Sequence, residues 1–99
     1  MEDRYVPPSP FLQAVIDEQV PFGKDDPGEH NLARLIAVTC DPDPANRDWA
    51  TLLLAQLELD RSDVRDALLC AASDESAPVR AEAIMGLTQR DRLNLQATW

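Results

Sequence analysis

A chain of 99 residues has room for one domain, and at this size most of its Leu, Ile, Val and Ala must be buried for it to fold. Nine Lys and Arg against eighteen Asp and Glu leave a net charge of -9. This argues against a nucleic-acid binder, because phosphate binding needs cations to release counterions. No apolar run approaches the roughly 20 residues of a membrane span. The opening Met-Glu-Asp-Arg-Tyr-Val-Pro-Pro lacks the basic and apolar parts of a signal peptide, so a cytoplasmic protein away from the membrane is expected.

Residues 1–9 mix charge with Tyr5, Val6 and prolines without periodicity, which predicts an extended lead-in. Ser9-Pro10 then reads as a helix start: the Ser hydroxyl caps free backbone N–H groups, and Pro takes the first helical position, where its missing N–H costs nothing. Phe11, Leu12, Val15, Ile16 and Val20 follow at helical spacing and predict a capping helix over 10–20, ended by Pro21 and Gly23. A Pro- and Gly-rich loop over 22–28 leads to Asp26-Pro-Gly-Glu29, which has the spacing of a capping box. The next helix, over 27–40, presents Leu32, Leu35, Ile36 and Thr39 on one face.

Asp41-Pro-Asp-Pro44 is a tight corner in which Pro42 stops one helix, Asp43 caps the next and Pro44 opens it. The helix that follows has Ala50, Leu53, Leu54 and Leu57 as its core face. A charged connection over 58–62, with Asp60 and Ser62 as cap candidates, leads to a helix over 62–73 carrying Val64, Leu68, Ala71 and Ala72. A further helix over 77–89 carries Val79, Ala83 and Leu87. Gly86 inside it costs about 1 kcal/mol relative to Ala, so it marks a close backbone crossing. Residues 91–99 read as the opening of another helix.

One pattern occurs twice. Asp41-Pro-Asp-Pro-Ala-Asn-Arg47-Asp-Trp-Ala50 recurs as Asp74-Glu-Ser-Ala-Pro-Val-Arg80-Ala-Glu-Ala83, beginning 33 positions later. Each copy has an acid, a Pro within the next four residues, an Arg six after the acid and an Ala three after the Arg, before a Leu-rich segment. That period indicates a helical repeat, with repeat one over 27–57, repeat two over 62–89 and a partial third over 91–99. Over residues 29–96 the chain resembles HEAT repeats, in the short bacterial form grouped with the lyase-type HEAT-like repeats. The resemblance implies an all-α fold, a short α-solenoid of about two and a half helical hairpins. It also implies that Asp41, Arg47, Asp74 and Arg80 form a ladder of hydrogen-bonded charges along the inter-helix turns. A carboxylate there has a local role as well, accepting N–H groups at a helix start. Because about three repeats are needed to bury a continuous core, the ends require cover. The helix at 10–20 supplies it on one side; the tail around Leu93, Leu95 and Trp99 either does so on the other or meets a second copy, giving a homodimer through the C-terminal edge.

HEAT-like stacks commonly bind partners through the second helix of each hairpin. Here the outward face of those helices carries Asp48, Leu52 and Gln56, then Met85 and Gln89. Leu52 and Met85 are repeat equivalents, and beside the edge of Trp49 they form a small adaptable apolar patch. A wheel of the same helices lets Trp49 meet Ile84 between the repeats, with Thr51 and Glu82 pointing outward. Residues 1–30 hold seven acids against Arg4 and Lys24, and two acidic clusters stand out: Asp25, Asp26 and Glu29, then Asp41, Asp43, Asp74 and Glu75. They either keep the chain soluble or steer a basic partner.

No chemistry-bearing constellation accompanies these features. His30 is the only His and no Cys-x-x-Cys is present, so no metal site is expected. Cys40 and Cys70 fall at different levels of their repeats, which reads as two small buried thiols over a redox pair. Asp17 and Glu18 are adjacent and do not face each other on a helix. There is no glycine-rich phosphate loop and no cofactor cage, so no cofactor and no catalysis are expected. The functional expectation is a protein-protein interaction module, an adaptor or regulator with a protein partner. The alternative is an acidic inhibitor, such as an immunity protein or antitoxin, acting on a basic enzyme; a chromophore-handling, lyase-like role is implied only by the resemblance.

Overall fold

The computed structural model describes residues 9–22, 25–57 and 59–97, with side chains as far as Arg92. The lead-in over 1–8 and the tail residues Leu93, Leu95 and Trp99, as side chains, therefore lie outside what is described. Five helices follow in order: α1 Pro10–Ile16, α2 Gly28–Val38, α3 Pro44–Gln56, α4 Ser62–Ala71 and α5 Ala77–Ala97. Among the described residues there is no strand.

α1 starts where Ser9 and Pro10 predict, with the Ser9 hydroxyl accepting the Leu12 N–H at 3.5 Å. It stops well before Pro21. Glu18 takes a left-handed conformation with φ 59, and its N–H and that of Gln19 return to the carbonyls of Val15 and Ala14, both at 3.0 Å. These two bonds make a Schellman ending, the closure that usually recruits Gly. The chain then runs back along the core through half-buried Val20 and Phe22, and Asn31 holds it by donating to the Pro21 carbonyl at 2.9 Å.

α2 begins without a side-chain cap, so the capping box predicted for Asp26 and Glu29 is absent. Glu29 instead turns to the guanidinium of Arg61, where both of its oxygens accept charge-assisted hydrogen bonds, one at 3.1 Å. Such a bidentate pair is stronger than a bond to one amide. Nor do Asp60 and Ser62 cap α4: Asp60 accepts from Arg65 at 2.6 Å, and Ser62 is already inside the helix.

α3 opens as predicted, with Asp43 accepting the Ala45 N–H at 2.9 Å and Pro44 in the first turn. It is the central element, touching α1, α2, α4 and α5. That setting rotates its buried face: Ala50 and Leu54 are buried, but so are Thr51 and Ala55, while Leu53 and Leu57 are only half-buried. Thr51 was predicted outside and is 0% exposed. α5 runs unbroken through Arg90 to Ala97, so residues 91–97 extend α5 rather than open another helix. No Pro or Gly interrupts the sequence there, and Arg90 is itself part of the buried stripe Val79, Ala83, Gly86 and Arg90. One core joins all of this, from Phe11 and Leu12 through Leu32, Leu35, Leu54 and Leu68 to Val79 and Ala83.

Candidate functional site

Two contacts fix how α3 meets α5 and hence the surface around their seam. The first is Gly86 against Ala55: a Cβ added at Gly86 would lie 2.7 Å from the Ala55 Cβ. The close crossing predicted from Gly86 is thus found. The second is Arg90, 2% exposed, which donates to the carbonyls of Leu54, Ala55, Leu57, Leu59 and Gly86 at 2.8 to 3.3 Å. Three of these carbonyls belong to the end of α3, where the last C=O groups have no intrahelical donor and the helix dipole is negative. Burial pushes the Arg90 guanidinium pKa down, partly countered by Asp60. Arg90 was not singled out in the sequence. The signal was present, since a cation continues the apolar row of Val79, Ala83 and Gly86 where the first repeat has Leu57.

The doubled Asp and Arg positions come together in the turns. Arg47 Nη1 donates to the Asp41 carbonyl at 3.1 Å, and Arg80 Nη1 makes the equivalent bond to the Asp74 carbonyl at 2.8 Å. Arg47 then crosses to the second turn, with Nε 3.0 Å from Asp74 Oδ1 and Nη2 3.4 Å from Glu75. Both carboxylates also hold helix starts: Asp41 accepts from Asp43 N–H at 2.9 Å and Asp74 from Ser76 N–H at 2.8 Å. The Asn46 amide and the Asp43 N–H keep the Asp41 carboxyl below its usual range, as Arg61 does for Glu29.

The six residues expected at the binding face divide between two helices. On α3, Trp49 and Leu52 are half-buried and Gln56 is exposed, and all three line a groove of about 410 Å³ walled on its other side by Ile16, Val20 and Phe22. Glu18 stands at its polar edge. On α5, Met85 is 51% exposed and Gln89 is exposed. Leu52 is three residues before Ala55 on α3 and Met85 one residue before Gly86 on α5, Ala55 and Gly86 being the pair at which the two helices cross. Asp48 is half-buried on the α3 side. Trp49, expected to meet Ile84, lines the groove toward α1, and Ile84 is 54% exposed. The groove between α1 and α3 was not foreseen, because it depends on the early stop of α1.

Cys40 and Cys70, expected to be buried, are both exposed free thiols. They line one cleft of about 540 Å³ together with Asp41, Arg47 and Asp74. No group of three or more His, Cys, Asp or Glu among the described residues is placed to hold a metal, and no described helix is long and apolar enough to cross a membrane. Comparison with family models, with curated proteins and with solved structures finds no match.

Proposed function

We propose that the chain is a non-catalytic protein-interaction module of the cytoplasm, an adaptor or regulator, built as a short α-solenoid. In this reading α2–α3 and α4–α5 are two HEAT-like hairpins and α1 caps the first. The arginine-to-carbonyl bond made once by Arg47 and again by Arg80 supports the repeat, and Arg47 to Asp74 supports the link between copies. The observation that carries the function is exposed apolar surface: Met85 is 51% exposed on α5, one residue before the Gly86 crossing, and on α3 Trp49 and Leu52 line the groove toward α1. A flexible thioether and an aromatic-lined groove both suit an adaptable protein contact. Asp48, Gln56 and Gln89 supply its polar surroundings.

A second reading, an acidic inhibitor of a basic enzyme, is favoured by where the cations go. Arg47, Arg61, Arg65 and Arg90 are all engaged inside the chain, while acids such as Glu75 and Asp91 keep most of their side-chain surface open. Salt separates the two readings, since apolar docking tolerates screening and charge steering does not. The test is a pull-down of wild type beside Met85→Glu, washed at low and high salt, with circular dichroism confirming that the variant is folded. A partner retained in salt and lost with Met85→Glu is the expected result. One retained by the variant and lost in salt moves the function to the acidic inhibitor, and a self-associating chain moves it to a homodimer.

A further inference from the structure

We propose that Cys40 and Cys70 are a redox-active thiol pair that a hydroperoxide closes into a disulfide across the cleft between the ends of α2 and α4. Both thiols are exposed and therefore open to an oxidant. They stand on different elements yet line the same space, along with Arg47 and Asp74. Repeat register pairs Cys40 with Ser73, not with Cys70. The fold overrides that offset because Ala67, Cys70 and Ala71 form one stripe of α4 that faces the Thr39–Pro42 turn across the cleft. Cys40 lies two residues beyond the last helical residue Val38, in a turn whose backbone is not held by a continuing helix, and Cys70 is the penultimate residue of α4. The Arg47–Asp74 bond, with both side chains largely buried (11% and 14% exposed), already ties the turn after α2 to the turn after α4, and so holds the two thiols at a common opening.

The chemistry needs only a peroxide. One thiolate attacks the O–O bond, forming S–O and releasing water, to give a sulfenic acid; the second thiolate attacks that sulfur, forming S–S and breaking S–O, and a second water leaves. The two thiols lose two protons and two electrons, and the hydroperoxide is reduced to two waters when it is hydrogen peroxide. Such bridges in a reducing compartment are characteristically transient and redox-sensing. Closing a loop of about 30 residues restricts the unfolded chain, and the expected rise in Tm is roughly 15 °C.

The experiment treats the reduced full-length chain with hydrogen peroxide, folded and in urea, beside Cys40→Ser and Cys70→Ser. The expected result is a monomer lighter by two hydrogens with both thiols lost to maleimide. After trypsin, one bridged species should join residues 35–47 to residues 66–80. It should form faster in the folded chain than in urea, raise Tm, revert with dithiothreitol and be absent from both Ser variants. Separate sulfinic acids, a bridge between two chains or unreacted thiols would overturn the proposal. So would equal rates in urea, or a bridged chain with a lowered Tm, because either shows that the fold does not present the thiols to each other.

Discussion

Arg90 shows how much one side chain can organise in a small fold. Its fork satisfies carbonyls at the end of α3, in the following connection and on α5 at once, geometry that a Lys ammonium cannot reproduce. Arg90→Met should therefore cost roughly 2–5 kcal/mol in urea unfolding, since buried carbonyls lose their donors, and Arg90→Lys should recover only part of it. A variant within a few tenths of a kcal/mol of wild type would show that water replaces the guanidinium without loss. Glu18 is the opposite case. A non-glycine residue at φ 59 carries a steric cost of about 1 kcal/mol, so Glu18→Gly is expected to raise the urea midpoint slightly. A left-handed Glu leaves no mark in the sequence, whereas Arg90 leaves one, a cation continuing the apolar row of Val79, Ala83 and Gly86, whose purpose shows only once the carbonyls around it are known.

For the helices, the starts and the ends of α2, α3 and α4 were legible, while the ends of α1 and α5 and the rotation of α3 were not. Ser9-Pro10 and Asp43-Pro44 act locally through a cap and a fixed φ, and the structure has α1 and α3 beginning there. The rotation of α3 is a tertiary outcome, because an element packed on four others buries whichever flank its closest neighbour needs, here Ala55 against Gly86 of α5, with Thr51 buried one turn earlier. The same distinction explains Glu29, whose local option as a cap loses to Arg61 from a distant part of the chain. Gly86 was legible because its cost in a helix demands a compensating contact. Gly86→Ala gains helix propensity but forces the Ala55 backbone and Leu68 apart, so a net loss of about 1–3 kcal/mol is expected from thermal or urea unfolding. A stabilised Gly86→Ala chain would mean that α3 and α5 slide freely.

For the whole molecule, the acidic balance and the internal ion pairs set the response to pH. Glu29 and Asp41 have carboxyl pKa values lowered in the fold. They therefore stabilise it fully above the ordinary carboxylate range, and that contribution is lost as pH falls through their depressed values. The urea midpoint is expected to drop between about pH 5 and pH 3, and Glu29→Gln should flatten that drop by removing its share. A wild-type midpoint that rises in acid would show that relief of the net -9 charge outweighs the loss of these pairs.

Docking of a protein at the α3–α5 seam can be read out by photocrosslinking in a lysate of the cell that makes the chain. A photoreactive residue replaces Met85 in one sample and Leu69, 58% exposed on α4, in another. Capture of a discrete partner from position 85 and not from position 69, persisting in high salt, is the predicted result. Capture from position 69 alone would place recognition away from the seam and contradict the account.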